Sequence, residues 1–459
     1  MQSLALSMLF PAIALLLAID TRRRASVSSA VWVVVLWLVL ISSRPVTTWF
    51  DLGASLAAAE SYDEGSPFDR VAYFALMLLA FATLARRGVR LREVAASNRW
   101  LAVFMLYWFV SIFWADSPLI ASKRWLKEIG NVLMVLVVLS EERRADAIAA
   151  VFTRSACLLL PTSVVFIRFF PELGRTYHVW SGEMMYTGVA THKNSLGVLV
   201  LVSLGCLAWD SFSRATSPPS KRPFAARASS LALLGMAVWL LLKAESATAN
   251  GCCALALALL AALHWPPLRA RAWALQVFGG LVALLAWSTG IVPRATEFMI
   301  VDVLRRDLTL TTRTDVWPML IGKAENAWLG SGFNSFWSGE RLAEIYRQLG
   351  IIQAHNGYLE TYLNGGLIGV VLLGCVLIAA VRHVNRGLAS GGEAAPLAFA
   401  IICITVVYNC TEASFSKMSP LWFAFLLLAM RYREAPTATK VPATRSLPQD
   451  KPPLLQAPW

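Results

Sequence analysis

The chain has 459 residues, of which 57% are hydrophobic and only 15% are charged. Soluble domains carry roughly 25% charged residues, so this composition, with a mean hydropathy of +0.58, indicates a membrane protein and argues against a soluble one. The formal net charge of +13 is weak evidence for nucleic-acid binding, because the basic residues cluster between apolar runs, where signals for membrane orientation lie. We expect membrane lipids, and no nucleic acid, as partners.

Apolar runs close to helix-spanning length recur along the chain and predict an all-α, polytopic membrane protein with about 12 or 13 transmembrane helices. The first run, from Leu4 to Ile19, lacks the basic segment that opens a signal peptide, so we expect a retained span. The predicted spans are 4–20, 27–43, 69–85, 98–115, 122–140, 146–169, 191–209, 229–243, 247–264, 272–292, 364–381, 395–411 and 418–431.

Basic segments fix the predicted orientation, because cytoplasmic loops of membrane proteins are enriched in Lys and Arg. When the spans alternate, these segments fall on one side, which we assign to the cytoplasm. The prediction gives N-terminal transmembrane helices over 1–292, a large periplasmic loop with short helices over 293–363, C-terminal transmembrane helices over 364–431, and a disordered cytoplasmic tail over 432–459. The protein would lie in the inner membrane of a bacterium, with any active site facing the periplasm.

The large loop is unusually basic for a translocated segment and contains a predicted amphipathic stretch around Trp337–Leu349. Within it, His355 lies just before a Gly-rich helix start and has Glu360 close in sequence. A neutral imidazole at a membrane surface, near a carboxylate, accepts a proton from a hydroxyl. The alternative is that His355 and Asn356 only cap a helix.

Arg313 precedes a second Gly-containing segment that includes Gly330 and Gly332. A guanidinium clamps a diphosphate through paired hydrogen bonds, and the glycines would let backbone N–H groups approach the anion. The alternative is a local pair between Arg313 and Asp315 followed by a simple turn.

Two further cationic clusters stand where outer loops enter helices. The sequence Thr191-His192-Lys193-Asn194 opens one helix, and a helix N-terminus attracts anions. The alternative there is an interfacial lysine that snorkels. Arg175 precedes this cluster, and Lys123 and Arg124 form a similar cluster at another helix start. A lipid-linked phosphate or diphosphate would suit all these cations, and no spacing typical of metal ligands occurs, so no metal and no cofactor are expected.

Short motifs in a fixed order give the chain a family resemblance over roughly residues 100 to 430. They are Trp114-Ala-Asp-Ser-Pro118, Thr191-His-Lys-Asn194, Ser246-Ala-Thr-Ala249, Arg313-x-x-x-Trp317, Gly330-x-Gly-Phe333, Ala354-His-Asn-x-x-Leu-Glu360, Gly366-Leu-Ile-Gly369 and Thr411-Glu-Ala-Ser414. With them, the chain resembles the bacterial O-antigen ligase and polymerase-like membrane proteins, and within them the Wzy-type exopolysaccharide polymerases.

The resemblance implies a GT-C-like glycosyltransferase that works without a metal at the periplasmic face, with inversion at the anomeric carbon. The donor would be an oligosaccharide on undecaprenyl diphosphate, and the other partners would be a glycan acceptor, a chain-length regulator and a flippase. The resemblance implies that His355 is the base, or the hydrogen-bond partner, for the attacking acceptor hydroxyl, and that Arg313 stabilises negative charge on the departing diphosphate. Lys193, His192 or Arg175 would bind the same phosphates.

Three functions stay open from the sequence. A polymerase would join lipid-linked repeat units into O-antigen or exopolysaccharide. A ligase would transfer the finished glycan to lipid A core or to protein, with the same fold and the same residues. A transporter or flippase is disfavoured, because transporters typically show internal repeats and midplane sites, whereas the polar residues of this chain gather in one asymmetric loop.

Overall fold

The computed structural model describes residues 1–49, 67–177, 182–215, 224–274, 276 and 313–432. Almost all of the predicted span 272–292, residues 293–312 of the predicted loop, and the tail from residue 433 lie outside the described residues.

The described chain is almost entirely helical, with one small hairpin. The helices are α1 (Gln2–Arg23), α2 (Val31–Ser42), α3 (Val46–Trp49), α4 (Pro67–Arg86), α5 (Leu91–Ser97), α6 (Arg99–Val110), α7 (Pro118–Leu139), α8 (Arg144–Phe169), α9 (Pro171–Gly174), α10 (Lys193–Ala215), α11 (Phe224–Ala244), α12 (Ala247–Ala262), α13 (Pro266–Ala270), α14 (Arg313–Gly322), α15 (Gly339–Leu349), α16 (Gly357–Ala389), α17 (Ala395–Tyr408) and α18 (Pro420–Ala429). A 3₁₀ turn at Ser111–Trp114 extends α6. Strands β1 (Arg175–Tyr177) and β2 (Met184–Tyr186) pair antiparallel, with Thr176 opposite Met185.

The chain is a multi-pass membrane protein. Six helices among the described residues are long and apolar enough to cross a bilayer, namely α1, α4, α8, α10, α11 and α16, and the bent pair α5–α6 makes seven if it counts as one span. Four more apolar helices, α2, α12, α17 and α18, have 10 to 16 residues. At 1.5 Å per residue, these rise by about 15–24 Å, which is less than the roughly 30 Å of hydrocarbon. The total of twelve or thirteen spans stays a prediction.

The long helices divide into an inner and an outer group. The most apolar windows of α8 and α10 are 78% and 83% buried, whereas that of α1 is 11% buried and those of α4, α11 and α16 are 28% buried. A helix that is apolar all round and exposed in this way faces lipid. The short helix α18 lies in the centre, where every residue from Pro420 to Leu428 is buried.

A buried network of side-chain hydrogen bonds connects α2, α7 and α18. The Trp37 indole donates to Asn131 Oδ1 (2.8 Å), and Asn131 Nδ2 donates to Glu128 Oε2 (2.9 Å). The Trp422 indole donates to the other oxygen of Glu128. Because each of these buried polar groups has a partner, the hydrogen-bond network fixes the position of α7. The first turns of α7 carry Lys123 and Arg124.

The connections gather on two opposite faces of the bundle. On one face, Arg24 and Arg154 pair with Asp20 and Asp210. On the other face, the 3₁₀ turn after α6 meets the segment before α15, and Asp116 N donates to Ser335 Oγ (2.9 Å). The second face also holds the predicted site residues, and we call it the site face.

The helix α16 begins earlier than the predicted boundary at residue 364. Asn356 caps its first turn, accepting hydrogen bonds from Tyr358 N and Leu359 N, both at 3.0 Å. The helix is then interrupted at Gly366, which has φ +58° and lies against the backbone of Trp328 and Leu329. A Cβ there would overlap the Trp328 backbone at 2.2 Å, so only glycine fits.

Candidate active site

The segment that carries His355 lies beside helix α14. The Trp317 indole donates to the carbonyl oxygen of Ala354 (3.0 Å), which fixes α14 next to the residue that precedes His355. Arg313 is the first residue of α14, four positions before Trp317. Because residues four apart share a helix face, the backbone of Arg313 lies about one turn from this contact. The structure brings the two predicted catalytic positions into one region.

The His355 imidazole is paired with Glu412. Its Nδ1 lies 3.0 Å from Glu412 Oε2, and the Glu412 side chain is only 6% exposed, whereas that of His355 is 21% exposed. A carboxylate that accepts from Nδ1–H places the lone pair of the neutral imidazole on Nε2. This pairing orients the ring so that Nε2 is the nitrogen that accepts a proton.

Glu360, which we predicted from sequence proximity to be the carboxylate near His355, has a different role. Its Oε1 accepts from Ala354 N (2.8 Å) and its Oε2 accepts from the Trp337 indole (2.8 Å). It is a buried anchor for the backbone before His355. The supporting role predicted for Glu360 stays a prediction, and the carboxylate that pairs with the imidazole is that of Glu412.

A short segment between α17 and α18, residues 409–419, positions Glu412. The side-chain oxygen of Asn409 accepts from Ser414 N (2.8 Å), and its amide group donates to Thr405 O (2.7 Å). Gly357 N donates to the carbonyl oxygens of Asn409 (2.8 Å) and Glu412 (2.9 Å). A Cβ at Gly357 would lie 2.0 Å from Asn409 Oδ1, so glycine is required for this contact.

The Lys193 cluster joins the same site through Asn194. Asn194 Nδ2 donates to Glu412 Oε1 (2.8 Å), so this carboxylate bridges Asn194 and His355. His192 Nδ1 accepts from Asn194 N (3.2 Å), as a capping side chain does. Lys193 is the first residue of α10, and its ammonium makes no hydrogen bond or ion pair with the residues that the structure describes.

Arg175 has partners within the protein. Its guanidinium donates to the carbonyl oxygen of Ile167 (2.9 Å and 3.2 Å) in the last turn of α8 and lies 5.6 Å from the Tyr186 ring centroid. Lys243, which the sequence analysis did not select, lies 5.1 Å from the same ring. Arg175 therefore closes a helix end, and its phosphate-binding role stays a prediction.

Lys123 and Arg124, near the start of α7, add two cations to the site face. Arg124 donates to the carbonyl oxygen of Asn334, and Asn334 Nδ2 donates to the carbonyl oxygen of Ser416 (3.2 Å). This chain of contacts links the first turns of α7 to the segment 409–419. The Lys123 ammonium has no ion-pair partner in the described part of the chain.

The backbone N–H groups around Gly330 and Gly332 are engaged with other protein groups. Gly330 N donates to Asn326 O (2.9 Å), and Gly332 N donates to Asn364 O (2.9 Å). Both residues have positive φ, and a Cβ on either would overlap neighbouring backbone atoms, those of Asn364 for Gly330 and those of Ala115 for Gly332. These contacts correspond to the turn alternative and not to a phosphate cradle.

The predicted amphipathic stretch is helix α15, which begins at Gly339. Ile345 is its buried residue, and Gly350 ends it in the left-handed conformation. Lys323 pairs with Glu344 (2.9 Å), and this hydrogen bond and charge lower the pKa of the Glu344 carboxyl. The polar side of α15 thus carries ion pairs on the site face.

Two functional candidates escaped the sequence analysis, Glu412 and Lys417. Lys417 Nζ lies 3.4 Å from Gln353 Oε1 and 3.5 Å from Glu360 Oε1. Glu412 occurs in the motif Thr411-Glu-Ala-Ser414, but its 57-residue separation from His355 hid the contact. The sequence feature that could have pointed to both residues is the short polar segment 409–419 between the apolar helices α17 and α18.

Comparison with known proteins gives a family match. Residues 230–374 match the sequence model of a family described as Wzy_C, O-antigen ligase. The matched region contains Arg313, His355 and the break at Gly366. The resemblance that the motifs indicated is confirmed.

The chain is also similar to the exopolysaccharide production protein ExoQ of Rhizobium meliloti (strain 1021). The two are 27% identical over 303 residues, which is 62% of this chain and 65% of the relative. The match therefore spans slightly less than two thirds of the relative's length.

Proposed function

We propose that this member of the O-antigen ligase family is a glycosyltransferase that polymerises lipid-linked oligosaccharide repeat units at the outer face of a bacterial inner membrane. The observation that carries the proposal is the His355–Glu412 pair, held on the same face as Lys193, Lys123 and Arg124. An oriented imidazole suits activation of a hydroxyl, and fixed cations suit a departing diphosphate. Similarity to an exopolysaccharide production protein supports polymerisation over other kinds of glycosyl transfer.

The proposed step is a single displacement. The acceptor hydroxyl gives its proton to His355 Nε2 as its oxygen bonds to the anomeric carbon of the donor. The bond from that carbon to the diphosphate oxygen breaks, and the undecaprenyl diphosphate leaves as an anion. Attack opposite the leaving group inverts the anomeric configuration.

Protein groups have distinct tasks in this step. Glu412 stabilises the imidazolium that forms, and Asn194 holds Glu412 through its second oxygen. Arg313, at the start of α14, and Lys193 stabilise charge on the diphosphate. Electrostatic stabilisation of developing charge is usually the largest contribution to catalysis.

A second function, the ligase, is supported by the description of the matched family. It uses the same chemistry with a different acceptor, lipid A core or protein in place of a second lipid-linked unit. Only the identity of the acceptor separates the two proposals.

The test uses the purified full-length protein and a synthetic repeat unit on undecaprenyl diphosphate. A polymerase converts the single unit into a ladder of longer products without any other acceptor. A ligase leaves the unit unextended until lipid A core is added. In either case, we expect Arg313→Ala to abolish product at unchanged protein amount, and wild-type activity in that variant would remove Arg313 from the mechanism.

A further inference from the structure

Lys417 occupies a partly exposed position at the edge of the site. Its side chain is 29% exposed and lies in the segment between α17 and α18, five residues after Glu412. Ser416, just before it, has φ +51°, a conformation that L-residues rarely adopt. From the next position, Lys417 contacts Gln353, which lies in the segment before His355.

The contacts of Lys417 with its neighbours are long. Nζ lies 3.5 Å from Glu360 Oε1 and 3.4 Å from Gln353 Oε1, whereas a strong ammonium–carboxylate hydrogen bond is about 2.7–2.9 Å. Glu360 has two shorter donors, Ala354 N and the Trp337 indole, both at 2.8 Å. An ammonium has three donors, so these contacts leave Lys417 with capacity for another anion.

The position of Lys417 relative to the imidazole is the second argument. Gln353 contacts both groups, since its Oε1 faces Lys417 Nζ and its Nε2 lies 3.4 Å from His355 Nδ1. The ammonium is therefore one amide side chain away from the proposed base. On its other side, Ser416 O accepts from Asn334, whose own carbonyl accepts from Arg124.

We infer that Lys417 is a binding residue for the diphosphate of the lipid carrier, between the imidazole of His355 and the cations of α7. The inference rests on the proposed function for the identity of the anion. The Lys417 ammonium would contact a phosphate oxygen when the donor binds and would keep that contact in the lipid diphosphate product. The same ammonium chemistry would also suit the carboxylate of an acidic sugar, and the test separates the two anions.

The experiment measures binding of glycan-free undecaprenyl diphosphate to the purified protein. We expect Lys417→Met to raise the Kd about tenfold and Lys417→Arg to stay within about threefold of wild type. Undecaprenyl monophosphate, with less charge, should show a smaller loss. If Lys417→Met binds the glycan-free diphosphate with the wild-type Kd, the inference is wrong. It is also wrong if Lys417→Met weakens binding only of a donor that carries an acidic glycan, because Lys417 would then bind the sugar carboxylate.

Two further variants separate ligand binding from a structural role. Lys323→Met removes a cation of similar exposure on the same face that is paired with Glu344, and we expect unchanged binding. Glu360→Gln removes the charge that Lys417 faces, and we expect it not to reproduce the loss seen in Lys417→Met. Equal losses in Glu360→Gln, Lys417→Met and the double variant would assign Lys417 a structural role and overturn the inference.

Binding does not require turnover, so the inference and the proposed function fail separately. A wild-type protein that binds the diphosphate through Lys417 but forms no glycosidic bond would contradict only the proposed function. Normal polymerisation with Kd values that do not depend on Lys417 would contradict only the inference.

Discussion

The two faces of the bundle use their cations differently. On the face opposite the site, Arg24 and Arg154 have side chains that are at most 1% exposed and are paired with Asp20 and Asp210. On the site face, Lys193 is partly exposed and has no anionic partner among the described residues, and the contacts that Lys417 makes there with Gln353 and Glu360 are 3.4–3.5 Å long. Removal of one partner of a buried ion pair is strongly destabilising, whereas we propose that the partly exposed cations of the site face bind a ligand.

The buried ion pairs should give the largest effect on folding. Asp20 accepts from Arg154 Nε at 2.9 Å and also pairs with Arg24, so Asp20→Leu leaves two buried guanidinium groups without that carboxylate. We expect a loss of about 3–5 kcal/mol in stability, seen as reduced yield and a lower Tm in detergent. The control is Glu93→Ala, which breaks an exposed pair with Arg90 and should change Tm little. A wild-type Tm for Asp20→Leu would contradict a structural role for this cluster.

Loss of the imidazole should reduce activity more than the loss of Glu412 or Lys193 does. His355→Ala removes the proposed base, so we expect the rate to fall by about 10³-fold, within the usual range for general base catalysis, with unchanged protein amount. The control is His264→Ala, whose ring packs against Phe212 away from the site and should leave activity intact. Glycosyl transfer at the wild-type rate by His355→Ala would exclude the imidazole from the reaction.

The carboxylate behind the imidazole should matter less than the imidazole itself. Glu412→Gln keeps an oxygen that accepts from His355 Nδ1 but removes the charge that stabilises an imidazolium. We expect kcat to fall by about 10²-fold, the lower end of the range for general acid–base catalysis, while the KM for the donor stays near wild type. Glu344→Gln, on the exposed side of α15, serves as the matched control. Equal kinetics for the two variants would mean that Glu412 only holds the backbone.

The smallest effect should come from a single phosphate cation. Lys193→Met removes one charge next in sequence to Asn194, which contacts Glu412, and we expect the KM for the lipid-linked donor to rise about tenfold, which corresponds to about 1.4 kcal/mol. Lys193→Arg should retain most of the affinity, since the charge remains. If both variants show the wild-type KM, Lys193 is an interfacial lysine and the phosphates are held elsewhere.

The sequence predicted the helical membrane class, because apolar runs and basic loops carry that information directly. It predicted less well which groups touch. The partner of His355 was expected to be Glu360, five residues away, yet a fold brings distant segments together, and Glu412 approaches from another loop. The charge of Arg175 is visible in the sequence and led to its prediction as a phosphate ligand, but its hydrogen bond to the carbonyl oxygen of Ile167 could be seen only in the structure.

The glycines show the same limit. The sequence left open whether Gly330 and Gly332 form a phosphate-binding segment or a simple turn. In the structure both have positive φ values, and their N–H groups donate to protein carbonyls. No local pattern reports whether an N–H faces an anion or another helix. Conversely, Asn356 was expected to cap a helix as one alternative, and it does so in α16.

The account depends on the site face lying outside the cytoplasm, and sided labelling tests this directly. Glu340 is exposed on the site face and Glu93 is exposed on the other, so each is replaced by cysteine in a Cys410→Ser background. A membrane-impermeant maleimide is applied to cells whose outer membrane is permeabilised and whose inner membrane is intact. Lysed cells serve as the labelling control. We predict that the cysteine at 340 is labelled in intact cells and that the cysteine at 93 is labelled only after lysis. The reverse pattern would place His355 in the cytoplasm, away from the proposed substrate, and would contradict the account.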